Sequence, residues 1–205
     1  MTAVQRSAGL TAKGARTRAR IVDAAAALVH QHGVADTTVE EVKKNAGVSS
    51  SQLYHYFTDK DALVRAVLHR QTELILATQD QADLGSLAGL RAWRDGVIAH
   101  ARSVSGAGGC PLGHLVGQLA ETDQNARLEL AEGFHRWAAV LRTALHDLDR
   151  AGDLRPGTDP DNLADTLLAT LQGGLLLAQV HRDAGPLETA LDTLIGLATH
   201  APTND

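Results

Sequence analysis

Three helix starts fall within about twenty residues of one another in the N-terminal third of the chain. Each has the form of a capping box, in which a hydroxyl side chain accepts from a backbone N–H and the residue three positions later bonds back. The pairs are Thr38 with Glu41, Ser49 with Gln52, and Thr58 with Asp61. Helices that start so close together must be short and joined by tight turns, which limits the folds open to this region.

Apolar residues near these starts recur at helical spacing and indicate which helix faces turn inward. The inward positions are Ile21, Ala24, Ala25, Leu28 and Val29 in a first helix that stops at Gly33, Val39, Val42 and Ala46 in a second, and Leu53 and Phe57 in a third. Gly47 separates the second and third helices and tolerates a positive φ. This order predicts a helix-turn-helix, the motif that places its second helix in a major groove.

Half of the six aromatic residues stand within four positions: Tyr54, Tyr56 and Phe57. An ordinary core would spread its large rings. Phe57 shares a helix face with Leu53, so we expect it to anchor the third helix to a small core. One or both tyrosine phenols then remain available to a nucleic-acid backbone, because hydroxyl groups donate to phosphate oxygens.

Composition favours an all-α protein, since 44% of the 205 residues are hydrophobic and no segment alternates apolar and polar residues for long. No apolar run approaches the roughly 18 residues that a membrane-spanning helix needs. The N-terminus lacks the apolar centre of a signal peptide, and a single cysteine fits a reducing compartment. We therefore expect a cytoplasmic protein with no membrane partner.

The net charge of −5 is unevenly distributed. Residues 1–60 carry eight Lys and Arg against five Asp and Glu, a net +3, whereas residues 61–205 carry eleven against nineteen, a net −8. A basic head on an acidic body favours a polyanion-binding N-terminus. Chance surface charge explains the asymmetry equally well.

The stretch TTVEEVKKNAGVSSSQLYHYFTDKDAL resembles the DNA-binding domain of the TetR/AcrR family of bacterial transcriptional regulators. Shared features are a threonine-led second helix, Ala-Gly-Val-Ser, a short recognition helix and a Leu-Tyr-x-Tyr-Phe-x-x-Lys-Asp-x-Leu run. The likeness covers residues 16–64. It implies a flexible arm over residues 1–15, a helix-turn-helix domain over 16–60, and an effector-binding and dimerisation domain over 61–205.

The resemblance also implies which residues contact double-stranded DNA. Those facing the groove are Ser50, Ser51, Gln52 and Tyr54. Those holding phosphates are Thr38, Lys44, Ser49, His55, Tyr56 and Lys60. Short polar side chains suit base edges, and hydroxyls and cations suit phosphate oxygens. His55 and Tyr56 could instead be solvated or packed.

Three positions leave alternatives open. Gln52 could serve only as the cap partner of Ser49. Ser50 stands where many family members carry Lys or Arg, which would weaken the backbone contact or change the operator. Lys43 stands where a small alanine is usual, so its stem either extends past the packing or reaches a phosphate.

Six further helices are predicted after the third, roughly over 59–80, 86–104, 111–122, 124–151, 160–183 and 187–199. By the resemblance, the last two form a dimerisation pair that makes a four-helix bundle with a partner. Its predicted contact residues are Leu171, Gly173, Gly174, Leu175, Leu191, Leu194 and Ile195. The two glycines each cost about 1 kcal/mol against alanine inside a helix, which points to a close helix contact. The alternative is that both helices fill a monomeric core.

The resemblance further implies an effector pocket among the central helices. The candidate residues are Trp93, Cys110, His114, Gln118, Phe134 and Trp137. Structural core is the alternative for each ring. His114 and Gln118, four positions apart, are candidates for hydrogen-bonding the effector.

The stretch GGCPLGHL places Cys110 at or near a helix N-cap, because Pro111 suits a first helical position. There the helix dipole can lower a thiol pKa. The Gly-Cys-Pro-Leu-Gly motif is similar to a branch of the family that responds to flavonoids and, in related members, to reactive electrophiles. Cys110 is thus either a sensor or a small packing residue in a tight turn.

These features together predict a homodimeric repressor that binds a palindromic operator and is released by a small hydrophobic effector. No cofactor is implied, and no metal site, because His100, His114, His135 and His146 fall on different helices without ligand spacing. One alternative is an enzyme with a helical ligand chamber, disfavoured because no nucleophile–base set is evident. Another is a ligand-binding module that no longer binds DNA.

Overall fold

In the computed structural model, residues 10–80 and 82–200 are described. Across these ranges the chain forms nine α-helices and no strand, which confirms the all-α prediction. The helices are α1 (Ala12–Asp36), α2 (Val39–Ala46), α3 (Ser50–Tyr56), α4 (Lys60–Asp80), α5 (Leu87–Ser103), α6 (Pro111–Leu119), α7 (Gln124–Ala151), α8 (Pro160–His181) and α9 (Gly185–Ala198). From α4 onward, the predicted bounds agree with these to within three residues.

Helix α1 starts earlier than its apolar pattern indicated. The Thr11 hydroxyl caps it by accepting from the Gly14 N–H at 3.2 Å. Residues 12–15 of the predicted arm are therefore helical, and residues 1–9 lie outside the described residues. Gly33, the predicted stop, has a φ of 86° and interrupts the helix one turn before its end, since a positive φ is readily adopted only by glycine.

Two reciprocal capping boxes fix the starts of α2 and α3, as predicted. The Thr38 hydroxyl accepts from the Glu41 N–H at 3.2 Å, and the Glu41 carboxylate accepts from the Thr38 N–H at 2.9 Å. Ser49 and Gln52 form the same pair at 3.2 and 2.9 Å. Between the two helices Gly47 has a φ of 60°, the left-handed conformation that ends one helix and allows a tight turn into the next.

The inward faces of α2 and α3 are buried. Four apolar side chains are at most 2% exposed: Val42, Ala46, Leu53 and Phe57. The guanidinium of Arg18 lies 5.1 Å from the centre of the Phe57 ring, within reach of a cation–π interaction. Phe57 is therefore the anchor that its helix position predicted.

The third predicted capping box is wrong. Helix α4 begins at Lys60, and its first turn is capped by Asp59, whose carboxylate accepts from the Ala62 N–H at 2.6 Å. Thr58 donates its hydroxyl to the other carboxylate oxygen of Asp59 at 2.9 Å. The bond from Ala62, followed by that from Thr58, holds the pKa of Asp59 below its ordinary value. Asp and Thr are both good caps, so local spacing alone could not choose between neighbours.

The chain groups into two compact units. The first comprises the chain up to Glu73 together with His114–Ala131, and the second comprises Leu74–Gly113 together with the chain from Glu132 onward. The first unit thus extends past residues 16–60, the predicted DNA-binding domain. Helices α4, α6 and α7 each have residues in both units.

Helices α8 and α9 pack closely within the second unit. Leucines at most 2% exposed lie on both: Leu167, Leu171, Leu187 and Leu191. A Cβ on Gly174 would lie 2.6 Å from Leu187 Cδ1 and 3.0 Å from Leu187 Cα. A Cβ on Gly173 would meet nothing within 4 Å. Within this protomer, the close contact predicted for both glycines therefore belongs to Gly174.

Helix α8 also has an exposed apolar face. By length and composition alone, its 22 residues are long and apolar enough to cross a membrane. The expectation that no segment reaches this length is therefore wrong. Only 28% of its most apolar window is buried, and Leu176, Leu177 and Val180 are 60%, 47% and 68% exposed.

The close contact at Gly174 leads to a stability prediction. We expect Gly174→Ala to lower the free energy of unfolding by about 1–3 kcal/mol, because the added methyl meets the Leu187 backbone. Gly96→Ala, in α5 with open space around its Cβ position, is the matched control and should raise it by up to about 1 kcal/mol. Urea denaturation followed by circular dichroism measures both, and equal effects would contradict this packing.

Candidate nucleic-acid interface

The two faces of α3 differ in exposure. Leu53 is 1% exposed. The residues predicted to face the groove, Ser50, Ser51, Gln52 and Tyr54, are all exposed, Tyr54 to 54%. Hydroxyl and amide groups both donate and accept hydrogen bonds, so this face can address base edges.

Gln52 acts as the cap partner of Ser49 in this structure. Its Oε1 accepts from the Ser49 N–H at 2.9 Å, and the Ser49 hydroxyl accepts from the Gln52 N–H at 3.2 Å. The amide NH2 of Gln52 finds no acceptor among the described residues, so one end of the side chain caps the helix and the other remains available.

The two positions that depart from the family pattern contact each other. Lys43 Nζ donates to Ser50 Oγ at 3.0 Å, and the same ammonium pairs with the Glu40 carboxylate. The Lys43 side chain is 24% exposed. A cation therefore lies beside the first residue of α3 even though position 50 is a serine.

The residues predicted to hold phosphates lie near helix ends of the first unit, and several are bonded within the protein. The Thr38 hydroxyl donates to the Glu41 carboxylate at 2.7 Å, and Lys60 Nζ donates to the Ala35 carbonyl at 3.1 Å. The bonds from the Thr38 hydroxyl and N–H hold the pKa of Glu41 below its ordinary value. Lys44 is exposed and forms no ion pair within the described part of the chain.

The rings of His55 and Tyr56 meet edge to face, with centres 4.9 Å apart. His55 is exposed and Tyr56 is half-buried. A Cβ on Gly14 would lie 3.5 Å from the Tyr56 hydroxyl, so this phenol reaches the first turn of α1. His55 is thus solvated and Tyr56 partly packed, and both lie in the last turn of α3.

The break in α1 is closed by a residue of α6. The Val34 N–H donates to Gln118 Oε1 at 2.5 Å. A Cβ on Gly33 would lie 3.0 Å from that oxygen, so glycine serves both the positive φ and the close approach. The sequence predicts the break, but not its partner, because Gln118 lies 84 positions from Val34.

His114 also faces α1 within the first unit. Its ring centre lies 5.9 Å from that of His30. The Nε2 of His114 is buried and has no hydrogen-bond partner among the described residues. His114 and Gln118, both predicted to bond an effector, therefore contact α1 in this structure.

The other predicted effector residues lie in the second unit. Trp93 and Trp137 are 7% and 5% exposed. Phe134 and Trp137 stack with ring centres 6.4 Å apart and planes inclined by 9°. The indole N–H of Trp137 is buried without an acceptor in the described ranges, so one polar group in this region is left unpaired.

Cys110 is buried in the second unit at 8% exposure. Its Sγ accepts from the Gly113 N–H at 3.4 Å. The start of α6 could lower the thiol pKa, as a sensor cysteine would require. Burial instead raises the pKa of Cys110, against weaker opposing hydrogen bonds from Gly113, Leu112 and Gln172. The Cys110 thiol therefore stays protonated up to a higher pH than an exposed cysteine thiol would.

The predicted dimerisation residues divide by exposure. Those buried within the protomer are Leu171, Gly174, Leu191 and Ile195. Leu175 and Leu194 are half-buried, and Gly173 is exposed. The most exposed apolar residues on the same helices are not in the predicted set; they are Leu176, Leu177 and Val180 on α8 and Leu197 on α9. An apolar pattern all round a helix does not show which face packs within the protomer.

Comparison with known proteins places this geometry among transcriptional regulators. Residues 21–67 match the family described as "Bacterial regulatory proteins, tetR family", and residues 86–194 match "Tetracyclin repressor-like, C-terminal domain". The HTH-type transcriptional repressor DhaR of Mycobacterium sp. (strain GP1) is 25% identical over 175 residues, covering 85% of this chain and 88% of DhaR.

Two further proteins are similar over most of their length. An uncharacterised HTH-type transcriptional regulator of Mycobacterium tuberculosis is 30% identical over 175 residues, which cover 83% of this chain and 88% of that protein. The crystal structure of a regulatory protein TetR from Rhodobacter sphaeroides has a TM-score of 0.78 at 22% identity, covering 88% of this chain and 97% of that one. The expected order, an N-terminal helix-turn-helix and a C-terminal helical domain, is confirmed.

The bond between Gln118 and Val34 leads to a prediction. We expect Gln118→Ala to lower the free energy of unfolding by about 1–3 kcal/mol, because the part-buried Val34 N–H loses its acceptor. Amide hydrogen exchange at Val34 should accelerate. Gln118→Glu keeps an acceptor for the Val34 N–H and should lower the free energy of unfolding by less. Gln124→Ala is the control, because the Gln124 amide bonds just one described residue, the exposed Arg127. Equal losses of stability in all three variants would show that the bond to Val34 contributes nothing.

Proposed function

Because the chain belongs to the TetR family of bacterial regulatory proteins, we propose that it represses transcription as a homodimer released from a palindromic operator by a small hydrophobic effector. Family membership itself makes it a DNA-binding regulator and not an enzyme. The name of its relative DhaR, a repressor, supports repression. We assign DNA binding to residues 16–60 and effector binding and dimerisation to 61–205, in a protein that acts in the cytoplasm.

The observation that carries the proposal is the exposed polar face of α3. Ser51 and Tyr54 project from it with no hydrogen bond to any described residue, and they are the first candidates for base contact. Ser50 and the free amide end of Gln52 complete the set. A short helix presented in this way fits a major groove about 12 Å wide.

Contacts to the DNA backbone come from the edges of the same surface. Lys44 and Lys60 supply cations, and Lys43 brings a third to the start of α3. The hydroxyls of Thr38, Ser49 and Tyr56 and the ring of His55 are the remaining candidates. Such contacts set register and affinity, because each neutralised phosphate releases counterions.

A homodimer is supported by the exposed apolar stripe on α8 and α9. Leu176, Leu177 and Val180 share one face of α8 at helical spacing, and Leu197 is exposed on α9; each is at least 47% exposed. Exposed leucines grouped in this way mark a contact surface. When the same stripe of a second protomer packs against this one, α8 and α9 of the two protomers make a four-helix bundle. Two recognition helices then read half-sites about 34–36 Å apart.

The effector is proposed to bind in the second unit near Trp93, Cys110, Phe134 and Trp137. These side chains are mostly buried and apolar, and the unpaired indole N–H of Trp137 offers one donor. Few polar groups in an apolar setting suit a small hydrophobic ligand.

Helix α6 is the proposed route from the effector to DNA. Its first residues, up to Gly113, belong to the second unit, whereas His114 and Gln118 belong to the first. A shift of α6 on effector binding would strain the bond from Val34 to Gln118 and move α1. A coupling free energy of about 1–3 kcal/mol is typical of such linkages.

The electrophile-sensing alternative has less support. A sensor thiol needs thiolate character and access, but Cys110 is buried and its pKa is raised. Assignment to the family branch with the Gly-Cys-Pro-Leu-Gly motif stays a prediction.

Operator binding leads to a direct test on the intergenic DNA beside the protein's own gene. We expect salt-dependent, sequence-selective binding in a polarisation assay. Lys44→Gln should weaken binding on all sequences and reduce the salt slope by about 1 per protomer. Ser51→Ala should instead relax selectivity at one base pair of each half-site, because a base contact carries sequence information.

Arg150→Gln is the matched charge control, since Arg150 lies at the end of α7 and, among the described residues, pairs only with Asp147. It should leave affinity and salt slope unchanged. Binding of wild-type protein that is equal on all sequences, or absent, would support the alternative of a ligand-binding module without an operator.

The dimer surface leads to a separate prediction. Val180→Asp should weaken dimerisation by about 2 kcal/mol or more, because it buries an unpaired charge in the apolar stripe. Leu128→Asp, at a position 52% exposed on α7, should leave the dimer intact. Light scattering after size exclusion measures both, and a Val180→Asp protein that stays dimeric would exclude this surface.

A further inference from the structure

A cavity of about 550 Å³ in the second unit is lined by three arginines. Arg91 and Arg94 belong to α5, and Arg155 lies between α7 and α8. Asp192 and Ile195 of α9 also line it. We call this cavity the arginine cleft. Its volume is typical of small-molecule sites, and none of the six predicted effector residues lines it.

The carboxylates near the arginine cleft are already engaged by Arg94 and Arg102. Arg94 bonds Asp95 at 2.7 Å and Glu188 at 3.4 Å, and it also bonds Asp192. Burial opposes its charge, but the bonds from Asp95 and Asp192 raise the pKa of Arg94 above its ordinary value. Glu188 pairs with Arg102 as well. Each of these carboxylates therefore already has at least one arginine partner.

Arg91 and Arg155 form no ion pair with any described carboxylate, although Asp95 and Asp192 line the same cleft. Arg91 is half-buried and forms no ion pair within residues 10–80 and 82–200. Arg155 donates its Nε–H to the Thr199 carbonyl at 2.8 Å, and its terminal nitrogens meet no described carboxylate. A guanidinium group presents two parallel donors that match the oxygens of a carboxylate or phosphate.

Backbone hydrogen bonds hold Arg155 in place. The Arg155 N–H donates to the Ala198 carbonyl at 2.9 Å, and the His200 N–H donates to the Asp153 carbonyl at 3.2 Å. The bond to Thr199 fixes the guanidinium itself. A side chain that is ordered before a ligand arrives loses less entropy on binding. His200 also lines the cleft.

We propose that the arginine cleft binds a small oxyanion, a carboxylate or a phosphate, through Arg91 and Arg155, with Ile195 against any carbon part. The two arginines come from different segments, so the anion ties α5 to the segment before α8. It thereby stabilises the second unit. The site is separate from that of the hydrophobic effector and does not depend on it.

The test uses the full chain, isothermal titration and thermal melting at constant ionic strength set with sodium chloride. The probes are inorganic phosphate, succinate and butyrate, with butyramide as the neutral counterpart of butyrate. We expect saturable binding of one anion per protomer and a higher melting temperature for at least one anion class. Binding of phosphate but not of the carboxylates, or the reverse, would identify the class of oxyanion that the cleft takes.

Variants then locate the site. Arg91→Gln should weaken anion binding at least about tenfold, as expected for one charged hydrogen bond, and Arg91→Lys should weaken it less. Arg91 bonds no described residue, so this change should not unfold the protein. Arg155→Gln provides a second variant, and Arg150→Gln, outside the cleft, is the charge control.

The proposal is overturned if no anion binds saturably, or if Arg91→Gln binds as well as wild type. It is also overturned if Arg150→Gln loses as much affinity as Arg91→Gln, since binding would then be nonspecific. Operator affinity is measured on the same proteins. Anion binding without operator binding would count against the proposed function only.

Discussion

Helix α3 is fixed at both of its ends, and the rest of the DNA-binding surface depends on this constraint. Seven residues are too few for an isolated helix to be stable in water. Ser49 and Gln52 satisfy the first turn by reciprocal bonds, and Phe57, 1% exposed and beside Arg18, fixes the other end. With both ends fixed and Leu53 inward, the serine-bearing face stays exposed, and Lys43 contacts it at Ser50.

Helix α8, like α3, has one face that packs inside the protein and one that is exposed. Gly174 lets α9 approach until a methyl group would touch Leu187, whereas Leu176 and Val180 face outward. The internal face needs no second chain, and the external one has no apolar partner among the described residues. A helix of this kind fits a protein that folds as a protomer and functions as a pair.

Sequence reasoning succeeded where the signal is local. Helix bounds from α4 onward agree to within three residues, because caps, glycines and prolines act over one turn. It failed at Thr58 because a better-placed carboxylate follows it directly. At Cys110 it left a sensor thiol and a small packing residue as alternatives, because the effect of a helix start is local, whereas the burial that raises the thiol pKa depends on distant residues.

The sequence by itself determined the all-α class, the order of helices and the inward and outward faces of α3, since these depend on residues a few positions apart. Only the tertiary structure decided that Gln118 closes the break in α1 from 84 residues away, and that Arg94 meets Asp192 across 98. It also decided which face of α8 is internal. Such pairings follow from the packing of distant segments, and no periodicity along the chain encodes them.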